Sequence, residues 1–145
     1  MSATVDRGGP VLVSFFGLPD IARVRPPHMA QDNGLRIASL LDLAGAKAAV
    51  VQQRAEAKDY RDLDAILADG RVTLPAALAS ARAIYVRRPL GRWSEVQPQI
   101  TLKALSFFGD GNLTLLSRSM QDRLARAARE VDLDRLPAID REACE

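Results

Sequence analysis

The sequence predicts an α+β fold that is predominantly α-helical, with short N-terminal β-strands followed by about five helices. Three observations carry this. From residue 39 onward, apolar residues recur at helical spacing in one block after another. Alanine is abundant and aromatic residues are only 5% of the chain, which favours helices over sheet. Runs of β-branched and aromatic residues are confined to the first 38 positions. The chain divides accordingly into a lead with short strands (1–38), a helical domain (39–136) and a charged tail (137–145).

Met1 to Pro10 is polar and ends in Gly-Gly-Pro, so it is expected to fray. Val11 to Leu18, VLVSFFGL, reads as a strand, and Ile21 to Val24 as a second short one. Pro26-Pro27 ends it, because proline lacks a ladder donor. His28 then lies on a proline-rich surface connection, Asp32-Asn33-Gly34 is a turn, and Leu35 to Ala38 is a third short strand. So few strands cannot bury both faces of a sheet, which leaves an edge near Val11 to Leu18 open to association.

Ser39 caps the first helix, with Asp42 at the third helical position in the manner of a capping box. Its apolar stripe is Leu40, Leu43, Ala44, Val50 and Val51. Gly45 costs about 1 kcal/mol against alanine, and its small size would admit a close neighbour or a ligand. A second helix spans Ala57 to Asp69, with Tyr60, Leu63, Ile66 and Leu67 inward and Gly70 closing it. Thr73 caps a third, with Pro75 in its first turn and Leu74, Leu78, Ala81 and Ile84 or Tyr85 inward. Pro98 opens a fourth, which continues through Leu102, Leu105 and Phe108 to Gly109. Gly109 to Asn112 is turn chemistry. The last helix starts at Ser117 or Ser119, buries Met120, Leu124, Ala127 and Val131, and ends by Pro137.

Several function classes are excluded on composition. A formal charge of +2 is too small an excess to argue for nucleic acid by itself. One cysteine, Cys144, and one histidine, His28, cannot build a Cys/His zinc site or an internal disulfide. There is no GxSxG elbow for a serine nucleophile, and GDGN lacks the spaced carboxylates of an EF-hand. No apolar leader or membrane-length run is present, so the expected location is the cytoplasm. Arg87, Arg88, Arg92 and Trp93 in the loop Arg87 to Gln97 have the make-up of a backbone grip with a stacking ring. The preferred reading of the loop is a solvated connector anchored to the core by its tryptophan.

The most unusual stretch is Leu40 to Leu67. Lys47 sits inside the apolar stripe of the first helix, and Lys is rarely buried without a partner. Arg54 prolongs that stripe by two turns. Lys58-Asp59 follows, and Asp62, three residues on, shares a helix face with Asp59. Two cations on one helix and two carboxylates on the next could converge on a phosphate or a metal. The structural alternative has Lys47 laying its stem along the core, Asp59 suiting a helix N-terminus, and Asp62 pairing with Lys58 one turn back.

The stretch AS-LLDLAGAKAAVVQQRAEAKDYRDL, with Lys47, Arg54, Lys58-Asp59 and Asp62, resembles the AbiEii/AbiGii toxin family of nucleotidyltransferases. LPAAL and TLKALSFFGDGNL are similar to that family's later helices, so the resemblance runs from about Val11 to Leu136. It implies that Lys47 contacts a triphosphate, with Arg54 and Lys58 adding nucleotide-binding charge. It also implies that Asp59 and Asp62 are the family's C-terminal acidic pair, orienting Lys47 or assisting catalysis. The family's Gly-rich segment and strand-borne Asp-x-Asp pair, which hold its metal ions, have no counterpart before Ser39. The resemblance therefore implies the C-terminal portion of such an enzyme, truncated and inactive as an isolated chain, so the expectation is no nucleotide transfer by this chain alone. Mg2+ and NTP would be its cofactors if the metal-binding half were supplied. The implied partners are a cognate antitoxin, the missing N-terminal half, a second copy through the sheet edge, or RNA. The alternative function is a non-enzymatic helical module that binds a nucleotide or a partner.

Overall fold

The computed structural model describes residues 2–6, 8–14, 22–85 and 96–142. Among them the fold is α+β and predominantly helical. Two small antiparallel sheets accompany five α-helices.

The first sheet pairs β1 (Ser2–Asp6) with β2 (Pro10–Ser14), in register from Ser2 opposite Ser14 to Asp6 opposite Pro10. The polar lead, expected to fray, is thus half of a hairpin. Its turn is fixed by the Asp6 carboxylate, which accepts from the N–H groups of Gly8 (3.1 Å) and Gly9 (3.0 Å). Gly8 has φ +79°, the left-handed region that favours glycine. Of the strand expected over Val11 to Leu18, the part beyond Ser14 lies outside the described residues. The second sheet pairs β3 (His28–Met29) with β4 (Arg36–Ile37). His28 is therefore a strand residue and not part of an irregular connection.

The strand expected over Ile21 to Val24 does not form among its described residues; only Arg23 makes an isolated bridge, to Glu142. The cause is Asp42. Its carboxylate accepts from the N–H groups of Val24 (2.7 Å) and Arg25 (3.2 Å), taking donors that a neighbouring strand would need.

α1 (Leu40–Gln53) is capped by Ser39, whose Oγ accepts from the Asp42 N–H at 3.0 Å. Its buried face is Ala44, Gly45, Ala48, Ala49 and Val51, while Leu43 is exposed. The stripe is thus rotated from the one expected, because small residues let α3 (Leu74–Ile84) lie close against α1. A Cβ on Gly45 would stand 2.5 Å from Ser80 Oγ and 2.9 Å from Ala81 N. The neighbour admitted at Gly45 is therefore a helix. Ser80 is buried there, and its hydroxyl donates to the Leu41 carbonyl at 3.1 Å.

α2 (Ala57–Asp69) buries Tyr60, Leu63 and Ile66 and closes at Gly70, φ +83°. α3 is capped by Thr73 and buries Leu74, Leu78, Ala81 and Ile84. α4 (Pro98–Ala104) stops short of the expected Phe108. From Leu105 the backbone bonds tighten to i→i−3, as in Ser106 N–H to Lys103 (3.1 Å), and the chain turns so that Phe108 packs edge-on against Tyr60, centroids 6.2 Å apart. α5 (Arg118–Arg129), capped by Ser117, buries Leu124 and Ala128. It ends eight residues before Pro137, and a 3-10 turn over Leu133–Arg135 follows. One apolar cluster joins all five helices, and a smaller one gathers Val24, Ala83 and Ile84 under Ile139 of the tail.

Candidate functional site

The sequence places a cation inside α1 and two acids at the start of α2, and the break at Arg54–Glu56 folds these helices against each other. Lys47 Nζ stands 3.1 Å from Asp59 Oδ1 and 2.6 Å from Asp62 Oδ2. Arg54 Nε donates to the other Asp59 oxygen, Oδ2, at 2.9 Å. Lys47, Arg54, Asp59 and Asp62 thus form one ion cluster. Lys58 does not join it. Its side chain is exposed, and it makes no ion pair among the described residues.

Burial is uneven across the cluster. The Asp59 side chain is 2% exposed and that of Lys47 23%, whereas Arg54 and Asp62 are each 52% exposed. The structural alternative that paired Asp62 with Lys58 is therefore replaced by a pairing with Lys47. Burial works against the charge on Asp59, but the hydrogen bonds from Arg54 and Lys47 outweigh it and hold its carboxyl below the usual value. Burial likewise disfavours the Lys47 ammonium, and the hydrogen bonds to Asp62 and Asp59 more than offset it, so its pKa is raised. Both groups are charged at neutral pH. The cluster has two positive and two negative members.

The position of Asp59 depends on a distant residue. α2 has no capping side chain of its own at Glu56. Asn112 supplies the cap instead: its Oδ1 accepts from the Ala57 N–H at 2.6 Å, and its Nδ2 donates to Glu56 Oε2 at 3.1 Å. Gly111, φ +56°, allows this approach, since a Cβ there would run into the Ala55 carbonyl. The GDGN turn therefore holds the α1–α2 break, which sequence reasoning took for turn chemistry alone.

A second ion pair was not anticipated. Asp64, also on α2 and buried, accepts from Arg123 of α5 through Nε (3.0 Å) and Nη2 (2.6 Å). The available signal was an acid at position 64, between Tyr60 and Leu67 on the inward face of α2. A carboxylate there calls for a cation from the helix that packs on it.

No group of three or more His, Cys, Asp or Glu side chains able to hold a metal gathers among the described residues. Both Asp59 oxygens already accept from cations, which leaves Asp62 as the one carboxylate of the cluster with exposed surface. A divalent ion does not fit these residues. Arg87, Arg88, Arg92 and Trp93 of the basic loop, like Cys144, lie outside the described residues.

Fold and site together define a small helical protein with a charge-balanced ion cluster at the junction of two helices. Comparison with protein families, with curated proteins and with solved structures found no match to this chain.

Proposed function

We propose that the chain is a nucleotidyltransferase-like protein of a toxin–antitoxin or phage-defence (abortive infection) system, one that binds a triphosphate and transfers no nucleotide as an isolated chain. The observation that supports this reading is the convergence of Lys47 and Arg54 with Asp59 and Asp62. Asp59 orients both cations. Lys47 keeps one of its three donors beyond its two carboxylate partners, and Arg54 uses only Nε among the described residues. Those remaining donors are of the kind a phosphate takes. Lys58, exposed beside them, adds charge. Transfer would need Mg2+ held by carboxylates from another polypeptide, such as a metal-binding N-terminal half.

On this reading the partners are a cognate antitoxin, that missing half, RNA as acceptor, or a second copy through the sheet edge near Val11 to Leu18, and the location is the cytoplasm. No helix among the described residues is long and apolar enough to cross a membrane. A second reading, a non-enzymatic helical module that binds a nucleotide or a partner, is favoured by one observation: the cluster neutralises itself, as a structural ion network does.

Incubating the purified chain with each labelled NTP, Mg2+ or Mn2+ and total RNA tests the first reading. The expected outcome is saturable triphosphate binding that is lost in Lys47→Ala, with no incorporation of label. Incorporation that Asp59→Ala abolishes would overturn the claim of inactivity. Absence of any triphosphate binding would leave the partner-binding module.

A further inference from the structure

We infer that the cleft between the C-terminal end of α1 and α4 binds a small aromatic anion, a single planar ring carrying a phosphate or a carboxylate. The cleft has a volume of about 270 Å³, room enough for one ring and its charged group. Its lining combines two features that seldom coincide on an exposed surface by chance: a fixed apolar platform and cations with uncommitted donors.

The platform is Phe107 with Ile100, both large apolar side chains left exposed. Phe107 is not a loose surface ring. It lies across Gly109, where a Cβ would come within 2.8 Å of Phe107 Cζ, so the bare glycine backbone seats the ring. A ring held in one place loses little entropy when another stacks on it. Tyr60 lines the cleft beneath, its hydroxyl donating to the Ala104 carbonyl at 3.4 Å. Burial, then Asp110 and Asp59, raise the pKa of that phenol, which therefore stays neutral and offers no anion to compete with a ligand.

The cations are Arg54 and Lys103. Arg54 commits Nε to Asp59 and leaves its two terminal nitrogens without a hydrogen bond among the described residues. Lys103 makes no ion pair or hydrogen bond among them. Asp110 is the one carboxylate residue on the lining among the described residues, and Arg54 is balanced within its ion cluster, so what the cleft offers an anion is uncommitted N–H donors. Two cationic donors beside a seated ring match an anion attached to a ring, and they match neither a neutral ring nor a bare ion as well. Arg54 is shared with the proposed triphosphate contact, whereas Phe107, Ile100 and Lys103 belong to the cleft alone, so substitutions at Lys103 and Phe107 test the cleft separately from that reading.

The test is a titration of the full chain, followed by backbone amide NMR shifts, with phenyl phosphate, benzoate and inorganic phosphate in separate arms. We expect saturable shifts at the cleft residues with either aromatic anion, at affinities on the order of millimolar, and weaker binding of inorganic phosphate. The two aromatic arms distinguish a phosphate ligand from a carboxylate one. Lys103→Gln, which keeps most of the stem, and Phe107→Ala should each weaken binding roughly tenfold, while Arg71→Gln, an exposed cation that does not line the cleft, should leave it unchanged. The inference is overturned by unsaturable shifts, by inorganic phosphate binding as tightly as phenyl phosphate, by indifference to both cleft substitutions, or by loss of binding in Arg71→Gln.

Discussion

Asp59 and Asp64 sit five residues apart on α2, both buried, both paired with cations from outside that helix, and they are built differently. Asp64 receives a two-pronged grip from Arg123, a closed pair in which each oxygen has one donor from the same guanidinium. Asp59 divides its oxygens between Lys47 and Arg54, and those cations have donors left over that reach toward Asp62 or toward solvent. The first arrangement ties two helices, and a third donor of Arg123 goes to Ser119 on its own helix, which leaves it fewer free donors than Arg54. The second ties two helices and still presents charge outward. What separates a structural ion pair from a candidate site here is the number of donors left over, since burial and pairing are alike.

Removing each acid should widen the contrast. Asp59→Ala strands Arg54 and leaves Lys47, mostly buried, with only the half-exposed Asp62, and should cost about 3 kcal/mol in urea unfolding. A loss under about 1 kcal/mol would mean that the cluster relaxes into water at little expense. Asp64→Ala strands only Arg123, which is half exposed and keeps its bond to Ser119, so about 1–2 kcal/mol is expected. If Asp64→Ala proved the more damaging, the roles of the two acids would be reversed.

Titration probes the same difference. The folded pKa of Asp59 lies below the unfolded value of about 3.9. Its contribution is therefore complete above that value and is lost as pH falls through the lower folded one. The Lys47 pKa is raised above about 10.4, so its contribution is complete below that value and lost as pH rises through the folded one. Stability carried by the cluster should be level between roughly pH 5 and pH 9. Asp59→Asn should flatten the acid limb of a stability–pH curve, and an unchanged limb would assign acid sensitivity to other carboxylates. The smallest effect belongs to Asp62→Ala. Its contact with Lys47 is half exposed at the acid end and should contribute no more than about 0.5–1 kcal/mol, falling as salt is added.

Much of the helical body was legible because its signals are local. The bounds of α2, the caps Ser39, Thr73 and Ser117, and Gly70 as terminator all follow from residue type and period. What escaped was decided across long separations. Asp42 fits a capping position so well that its second use, holding Val24 and Arg25, left no trace in the pattern. The end of α4 depends on Phe108 meeting Tyr60 from another helix. The hairpin of β1 and β2 did have a local signal, Gly8-Gly9 between two β-prone runs, which the polar residues around it obscured. At the site, the convergence of four charged residues was readable from their spacing, whereas Lys58 shared the spacing without sharing the face. Arg123 could not be matched to Asp64 without knowing that α5 packs on α2.

The borrowed cap on α2 has a kinetic consequence. Asn112 lies 55 residues after the N–H it satisfies, so the start of α2 cannot be secured until the GDGN turn has docked. If docking is late, the transition state for folding contains α2 without its cap. Asn112→Ala would then leave the refolding rate nearly unchanged and speed unfolding by roughly fivefold, the signature of a contact made after the barrier. Equal slowing of refolding would place the turn in the nucleus instead. In the first case the α1–α2 break that carries Arg54 and Asp59 is the last junction to lock, and it opens first when the native protein breathes.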